Sequence, residues 1–374
     1  EKERVYILQS ILNKVKAKKI LAQGDTKISF ILENEIQCDI RIVNETEYPF
    51  ALQYFTGSKE HNIEIRSRAN SQGLTLNEYG FSQLDKKSSG QRIPDCKDEK
   101  ALYASLGLSF IPPEMREGNG EINAAEKKLP RLVEEGDVKG AFHCHTTLSD
   151  GLNTLEEMSA EAQSLGWKFI GIADHSQSAV YAGGLSIEEV LAQIASIDQL
   201  NTAGKKIRIF KGVECDILTD GSLDYPDHVL KELDYVVVSI HGKFKMTESE
   251  ATKRIISALK SRYSTILGHP TGRLLLEREG YPVNLRDVIQ AAADLGKSIE
   301  INAHPSRLDL DWRWVRYAKE KGVPICINPD AHNVRGLRDI TYGIGIARKG
   351  WLEPQDVVNT WTLGAIESFF RNHK

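Results

Sequence analysis

From residue 137 onward the chain alternates short apolar, β-rich runs with amphipathic stretches. The runs are GAFHCH from Gly140, FIGIADH from Phe169, IRIFKGVE from Ile207, YVVVSIH from Tyr235, TILGHP from Thr265, SIEINAH from Ser298 and PICINPDAH from Pro324. Between them TLEEMSAEAQSLGW, IEEVLAQIASIDQLN, ESEATKRIISALKS, NLRDVIQAAADLGK and DWRWVRYAKEKG space apolar residues three and four apart and close near Gly, as helices do. Seven β-then-α units predict an α/β fold, either a parallel barrel or a doubly wound sheet. The polar residues favour the barrel. Each run finishes in ionisable or coordinating groups: His143 and His145; Asp174 and His175; Glu214; His241; His269; Glu300 to His304; Asp330 and His332. A barrel gathers such ends on one face, whereas an open sheet spreads them along an edge.

The residues before 137 follow other periods. Residues 4–17 predict an amphipathic helix, and TKISFILENEIQCDIRIV predicts two alternating strands joined near Glu33-Asn34-Glu35. YPFALQYFTGSKEHNIEIRSRANSQG reads as mostly helical, with GLTLNEYGF a small β element after it. The charged, turn-rich stretch 85–100 reads as a loop, and FIPPEMREGNGEI as the connector that closes this region.

Length and composition narrow the class. A chain of 374 residues with 41% hydrophobic content can bury two or three domain cores. A formal charge of −4 argues against retention on nucleic acid by bulk charge and leaves room for a local basic groove. The five cysteines are odd in number and form no CxxC pair, which fits a reducing, cytoplasmic setting. No apolar run approaches the ~18 residues of a membrane span, so neither signal peptide, anchor nor membrane partner is expected. The chain opens without Met, as a piece of a longer or processed protein would.

A His-x-His pair alone is common in proteins that bind nothing. Here, however, six of ten histidines (His143, His145, His175, His241, His269 and His332) share one predicted face, joined by Asp150, Glu214 and Asp330. Imidazole and carboxylate without thiolate suit zinc, manganese or iron. Nine candidate ligands exceed one tetrahedral ion, so two or three divalent ions are expected. Closely spaced ions lower the pKa of a shared water and clamp both oxygens of an in-line displacement at phosphorus, which implies phosphate-ester hydrolysis. Cys144 and Cys215 adjoin ligands but alternate to the opposite side and read as packing residues. Arg273, Arg307 and Lys243 follow strand ends, where each can hold a substrate phosphate or lie on a solvated surface.

With HCH…SD, ADH, GVE, SIH, GHPTGRLLL and NPDAH in that order, residues 137–374 resemble the polymerase-and-histidinol-phosphatase (PHP) superfamily. That resemblance implies a distorted seven-stranded barrel with a trinuclear metal site. Its nine ligands fall on His143, His145, Asp150, His175, Glu214, His241, His269, Asp330 and His332. YFTGSKEHNIEIR resembles the palm-to-thumb segment of bacterial family X DNA polymerases, and QCDIRIV their third palm carboxylate, Asp39. The implied domains are a partial palm (1–50), a thumb (51–118), a linker (119–136) and the PHP phosphoesterase (137–374). The palm's paired Asp-x-Asp carboxylates are missing from these residues, so polymerisation is not expected of this chain. Tyr54, Phe55 and Gly57, which flank the incoming nucleotide in that family, are then expected to be largely structural. His304 stands where related sequences usually carry Asn, and an extra imidazole there is expected to influence metal choice.

The leading expectation is a metal-dependent 3′–5′ exonuclease acting on single-stranded or gapped DNA ends in repair, with no obligate protein partner. His143, His145, Glu214 and Asp330 form the catalytic metal cluster, and Arg273 and Arg307 neutralise developing charge. A histidinol-phosphatase-type phosphomonoesterase shares that chemistry but has no use for a thumb. A non-enzymatic DNA-binding module would leave the ligands purely structural.

Overall fold

The computed structural model describes residues 2–84, 92–204 and 206–373, and the chain divides into two compact units, Glu1–Leu129 and Pro130–Lys374. Of the stretch read as a loop at 85–100, residues 85–91 lie outside the described residues.

In the first unit α1 (Lys2–Lys14) precedes an antiparallel sheet of β1 (Ala17–Gln23), β2 (Lys27–Leu32) and β3 (Gln37–Arg41), with β2 central. β1 escapes pattern reading because six of its seven residues are exposed and no alternation marks it. Leu8, Ile28 and Phe30 make the small core between helix and sheet. There follow α2 (Tyr48–Thr56), α3 (Lys59–Ser71), the hairpin β4 (Leu74–Asn77) and β5 (Gly80–Gln83), α4 (Glu99–Ser105) and α5 (Glu121–Ala125). A buried polar chain ties these helices. His61 Nδ1 donates to Glu121 at 2.7 Å, and the Tyr103 hydroxyl donates to His61 Nε2 at 2.8 Å. Glu121 also accepts the amides of Gly118 and Asn119. The stretch 119–136, expected as a linker, has residues in both cores. Glu121 and Ile122 are buried in the first unit, and Val133 joins the core of the second.

The second unit contains α6 (Leu155–Ser164), β6 (Phe169–Ile172), α7 (Ile187–Thr202), β7 (Arg208–Lys211), β8 (Glu214–Asp216) and α8 (Asp227–Leu230). It continues through β9 (Val237–Ser239), α9 (Glu248–Leu259), β10 (Ile266–Leu267), α10 (Leu285–Asp294), β11 (Ser298–Asn302), α11 (Trp312–Glu320), β12 (Ile325–Asn328), α12 (Ile340–Lys349) and α13 (Leu363–Arg371). Three helices start at S/T-x-x-E capping boxes, Thr154 with Glu157, Ser186 with Glu189 and Thr247 with Glu250, which fix where the chain turns back from each strand.

The strands pair in parallel as a five-stranded sheet, β12-β11-β10-β9-β8, and a two-stranded sheet of β6 and β7. The predicted run at 207–214 is divided between β7 and β8. The first run, expected as a strand, is a bridge only, Cys144 to Ala331. Its backbone still bonds on both sides. Gly171 and Ala173 donate to the carbonyls of Ala141 and Cys144 at 2.7 and 2.8 Å, and His145 donates to Ala331 at 2.9 Å. Residues 141–145 thus lie between β6 and the segment that follows β12.

Two apolar layers support this arrangement. The larger fills the space between strands and helices and includes Cys144 and Cys215, both fully buried, as packing residues should be. The smaller is an aromatic cluster of Phe142, Phe169, Phe210 and Tyr235, into which α13 inserts Ile366 and Phe370. α12 and α13 were not anticipated.

Burial pushes the Glu121 carboxyl up, but hydrogen bonds from His61 and the Gly118 amide hold it below the usual carboxylate range. With a depressed folded value, its stabilisation is complete above the unfolded-state pKa and lost as pH falls through the folded one. Glu121→Ala leaves His61 buried without its acceptor, and the first unit is expected to lose about 3 kcal/mol at neutral pH. Amide hydrogen exchange along α3 measures this, and the wild-type advantage should shrink in acid.

Candidate metal centre

The predicted ligands follow strand ends, apart from Glu214, which opens β8, and His143 and His145, which lie in the bridged run 141–145, so the second unit's topology brings them together. His143 and His145 end the first run. The chain then turns through Ser149-Asp150-Gly151, and a Cβ at Gly151 would lie 2.7 Å from the His145 carbonyl carbon, so only glycine lets the turn fold back this tightly. Asp174 holds that turn by accepting the Thr146 amide and hydroxyl, both at 2.7 Å, and the Ser149 hydroxyl.

Glu214, at the start of β8, is the centre. Its Oε1 lies 3.1 Å from His241 Nε2 and 2.8 Å from His269 Nε2. Its Oε2 lies 3.3 Å from His143 Nε2, 3.7 Å from His145 Nε2 and 3.0 Å from His175 Nδ1. Asp330 contacts His145 Nε2 at 3.1 Å, and Asp150 sits 3.3 Å from His332 Nε2 and 3.6 Å from His175 Nε2. All nine predicted residues are thus in one cluster. Three overlapping sets place their donor atoms within 4.8 Å of one another: His145, Asp150, His175 and His332; His143, His145 and Glu214; His175, Glu214 and His241. His269 and Asp330 fall outside those sets and join through Glu214 and His145.

The donor chemistry fits divalent cations. Four buried ring nitrogens, His143 Nε2, His145 Nδ1, His175 Nδ1 and His269 Nδ1, have no hydrogen-bond partner. Two of them lie within 3.3 Å of Glu214 oxygens yet lack hydrogen-bond geometry. Unsatisfied buried polar atoms are rare and costly, and lone pairs converging beside carboxylates are what a cation satisfies.

Electrostatics divide the histidines. Burial works against the charged ring of His241, but Glu214 and Asp216 outweigh it and raise its pKa to about 10; Asp150 and Asp330 likewise raise His332 to about 9. For His145 burial wins, aided by neighbouring imidazoles, and the value falls to about 4. Burial would push Glu214 up, yet His241, His143 and His175 carry it well below the usual range.

Residues that sequence reading did not single out as site residues orient the ligands. Glu300 accepts His143 Nδ1 at 2.7 Å, the His269 amide at 2.8 Å and Asn328 Nδ2 at 3.0 Å. Asp216 accepts His241 Nδ1 at 2.7 Å, and Asn302 Nδ2 donates to Asp330 at 2.9 Å. By fixing the proton on one ring nitrogen, such carboxylates leave the other free as a donor atom. Their signal was period two: Glu214 and Asp216, and Glu300 and Asn302, alternate onto one face of their strands.

The basic residues separate. Arg307 Nε lies 3.4 Å from Asp330 and belongs to the site. Arg273 does not have a free guanidinium for substrate. It contacts Asp311 at 3.1 Å and donates to the carbonyls of Arg307 and Leu308, bracing the loop that carries Arg307. Lys243 is exposed at the edge of the cluster. His304 is not among the ligand sets. Its Nδ1 accepts the Ser306 amide at 3.2 Å.

In the first unit Asp39 is exposed on β3 and is held near pKa 2 by hydrogen bonds from Ser29, Gln37 and Lys27. The Tyr54 carbonyl accepts Asn62 at 2.8 Å, and Gly57, at φ 68°, ends α2. Phe55 is exposed beneath the Arg41 guanidinium, 5.2 Å away.

Comparison with known families matches the DNA polymerase beta thumb to residues 51–117 and the PHP domain to residues 141–304. A polymerase-type thumb and a PHP domain in one chain define the class. This pairing resembles that of the PHP-bearing bacterial family X DNA polymerases. It is 40% identical over 98% of its length to the DNA polymerase/3′-5′ exonuclease PolX of Bacillus subtilis, and spans 64% of that protein. A probable phosphatase of Caldicellulosiruptor bescii is 33% identical over 51% of this chain and 78% of its own. A solved histidinol phosphate phosphatase from Lactococcus lactis covers 57% of this chain and 93% of its own at a TM-score of 0.40 and 17% identity.

Glu300→Ala frees the His143 ring without removing a donor, so affinity for Mn²⁺ is expected to fall roughly 10–100-fold. Titration calorimetry against wild type checks this; unchanged affinity would deny Glu300 an orienting role.

Proposed function

We propose that the second unit is a divalent-metal-dependent phosphodiesterase that removes nucleotides from the 3′ end of DNA, built on seven strand runs closed into a distorted barrel. The observation that carries this reading is Glu214 facing five imidazoles, four of which keep an unsatisfied ring nitrogen. His143, His145, Asp150, His175, Glu214, His241, His269, Asp330 and His332 would hold two or three ions. Manganese, zinc and iron all suit these donors. Bound there, the ions would supply a nucleophile from water near neutral pH and charge neutralisation at phosphorus.

The chain's own residues do the rest. Arg307 places a guanidinium at the edge of the cluster, beside Asp330, where negative charge accumulates on the phosphoryl oxygens. Glu300 and Asp216 keep His143 and His241 turned toward Glu214. The thumb supports DNA as substrate, through contacts to the phosphate backbone. Asp39 is the one carboxylate that the palm resemblance assigns to these residues, so the activity proposed for them is the hydrolytic one. The probable phosphatase relatives favour a second reading, hydrolysis of a small phosphomonoester, which the thumb does not support.

The test is manganese-dependent mononucleotide release from 3′-labelled single-stranded DNA, with histidinol phosphate as an alternative substrate. His143→Ala is expected to abolish release, and wild-type binding to DNA should weaken as salt rises. Phosphate freed from histidinol phosphate without release from DNA would favour the second reading. Arg307→Ala is expected to lower kcat by about 10²–10³-fold, measured in the same assay, whereas Arg273→Ala should show mainly as a lower melting temperature.

A further inference from the structure

Beside the ligand cluster lies an open cleft of about 410 Å³, lined by Tyr181, Ile217, Thr219, His241 and Lys243 among others. That volume is within the range of small-ligand sites. Tyr181 is 71% exposed and its neighbour Val180 81%, yet the Tyr181 ring is only 6.2 Å from that of His175 and 6.4 Å from that of His241.

The exposure is not that of a loose loop. The segment 176–185 is closed at its base by the Ser176–Leu185 bridge, with the Leu185 amide donating to the His175 carbonyl at 2.8 Å. Ser178 and Gln177 bond to Asp224, and Ala179 and Ala182 are buried beneath the turn. A Cβ at Gly184 would lie 2.0 Å from the Ser176 carbonyl oxygen, so this closure needs glycine. The fold therefore holds an aromatic ring and a valine out to solvent, next to the centre, on a firmly tied loop.

Of the remaining polar lining, Asp216 is engaged with His241 and Ser178 with Asp224. Arg254 is committed to the carbonyls of Ile217, Leu218 and Gly242. Lys243 is exposed and, among the described residues, has no ion-pair partner. A cleft with an aromatic face, a free cation and a phosphoester-hydrolysing centre at one edge matches a nucleotide: base, backbone phosphate and scissile bond.

We propose that this cleft is the subsite for the unpaired terminal nucleobase of a DNA 3′ end, with Tyr181 as its stacking platform and Lys243 meeting the adjacent backbone phosphate. The assignment rests on the nuclease reading above and deepens it, because it says how the centre selects a nucleotide over a small phosphate ester. Base-on-aromatic stacking tolerates every base, so the cleft would confer little sequence preference.

The experiment compares 3′-labelled single strands ending in a normal or an abasic nucleotide, assayed with manganese for KM and kcat. In wild type, removing the base is expected to raise KM roughly ten-fold or more. In Tyr181→Ala that penalty should fall to near one, while Tyr181→Phe retains it. Absence of any penalty in wild type overturns the subsite without recourse to a variant. A penalty that persists in Tyr181→Ala, including a uniform loss on both ends, also overturns it and marks Tyr181 as structural. No release from either strand by wild type sinks the nuclease reading and the subsite with it.

Discussion

A carboxylate removed from water beside five imidazoles is the constraint around which the second unit is organised. Glu214 is 1% exposed, and an ionised carboxylate at such a position is tolerable only with compensating charge or hydrogen bonds. The surrounding histidines supply the compensation, and they in turn need partners. Glu300, Asp216, Asp330 and Asp150 meet that need, so each added ligand brings an acid with it. The resulting network has nearly equal numbers of acids and bases. Its loose ends, four ring nitrogens, point to ligation and not to folding as the reason it exists.

Holding this network strains the backbone locally. His269 and Asp330 have φ of 21° and 52°, a region that costs non-glycine residues on the order of 1–3 kcal/mol each. Both are pinned by the same pair of side chains on β11. Glu300 accepts the His269 amide, and Asn302 donates to Asp330. The aromatic layer completed by α13 packs residues of the neighbouring strands β6, β7, β9, β10 and β12.

Much of the centre was legible in the sequence because its ligands terminate apolar runs, and packing alone seldom places an ionisable group at the end of a buried strand. What could not be read was direction. Arg273 and Arg307 stand at similar distances past a strand end, but only Arg307 turns toward the cluster, and nothing in residue order says which. Asp216 looks like an ordinary polar position until the facing histidine is known, and Glu300 reads as a run-end group without showing that it orients His143. In the fold, β1 lacks alternation. α12, ITYGIGIARK, carries two glycines and three β-branched isoleucines among its ten residues, a poor advertisement for a helix. The linker bounds 119–136 came from the resemblance, and residue order does not say that Glu121 and Ile122 are buried.

The hydrogen bonds between residues 141–145 and the segment after β12 have a consequence for how the centre comes into being. His145 and Asp330 are 185 residues apart in the chain and 3.1 Å apart in space. Contacts of such long range carry the largest loop-closure cost and are slow to form. Synthesis delivers His143 and His145 well before Asp330 and His332, so a chain made only as far as β11 holds part of the ligand cluster. The cluster is complete only when the second unit has folded as a whole.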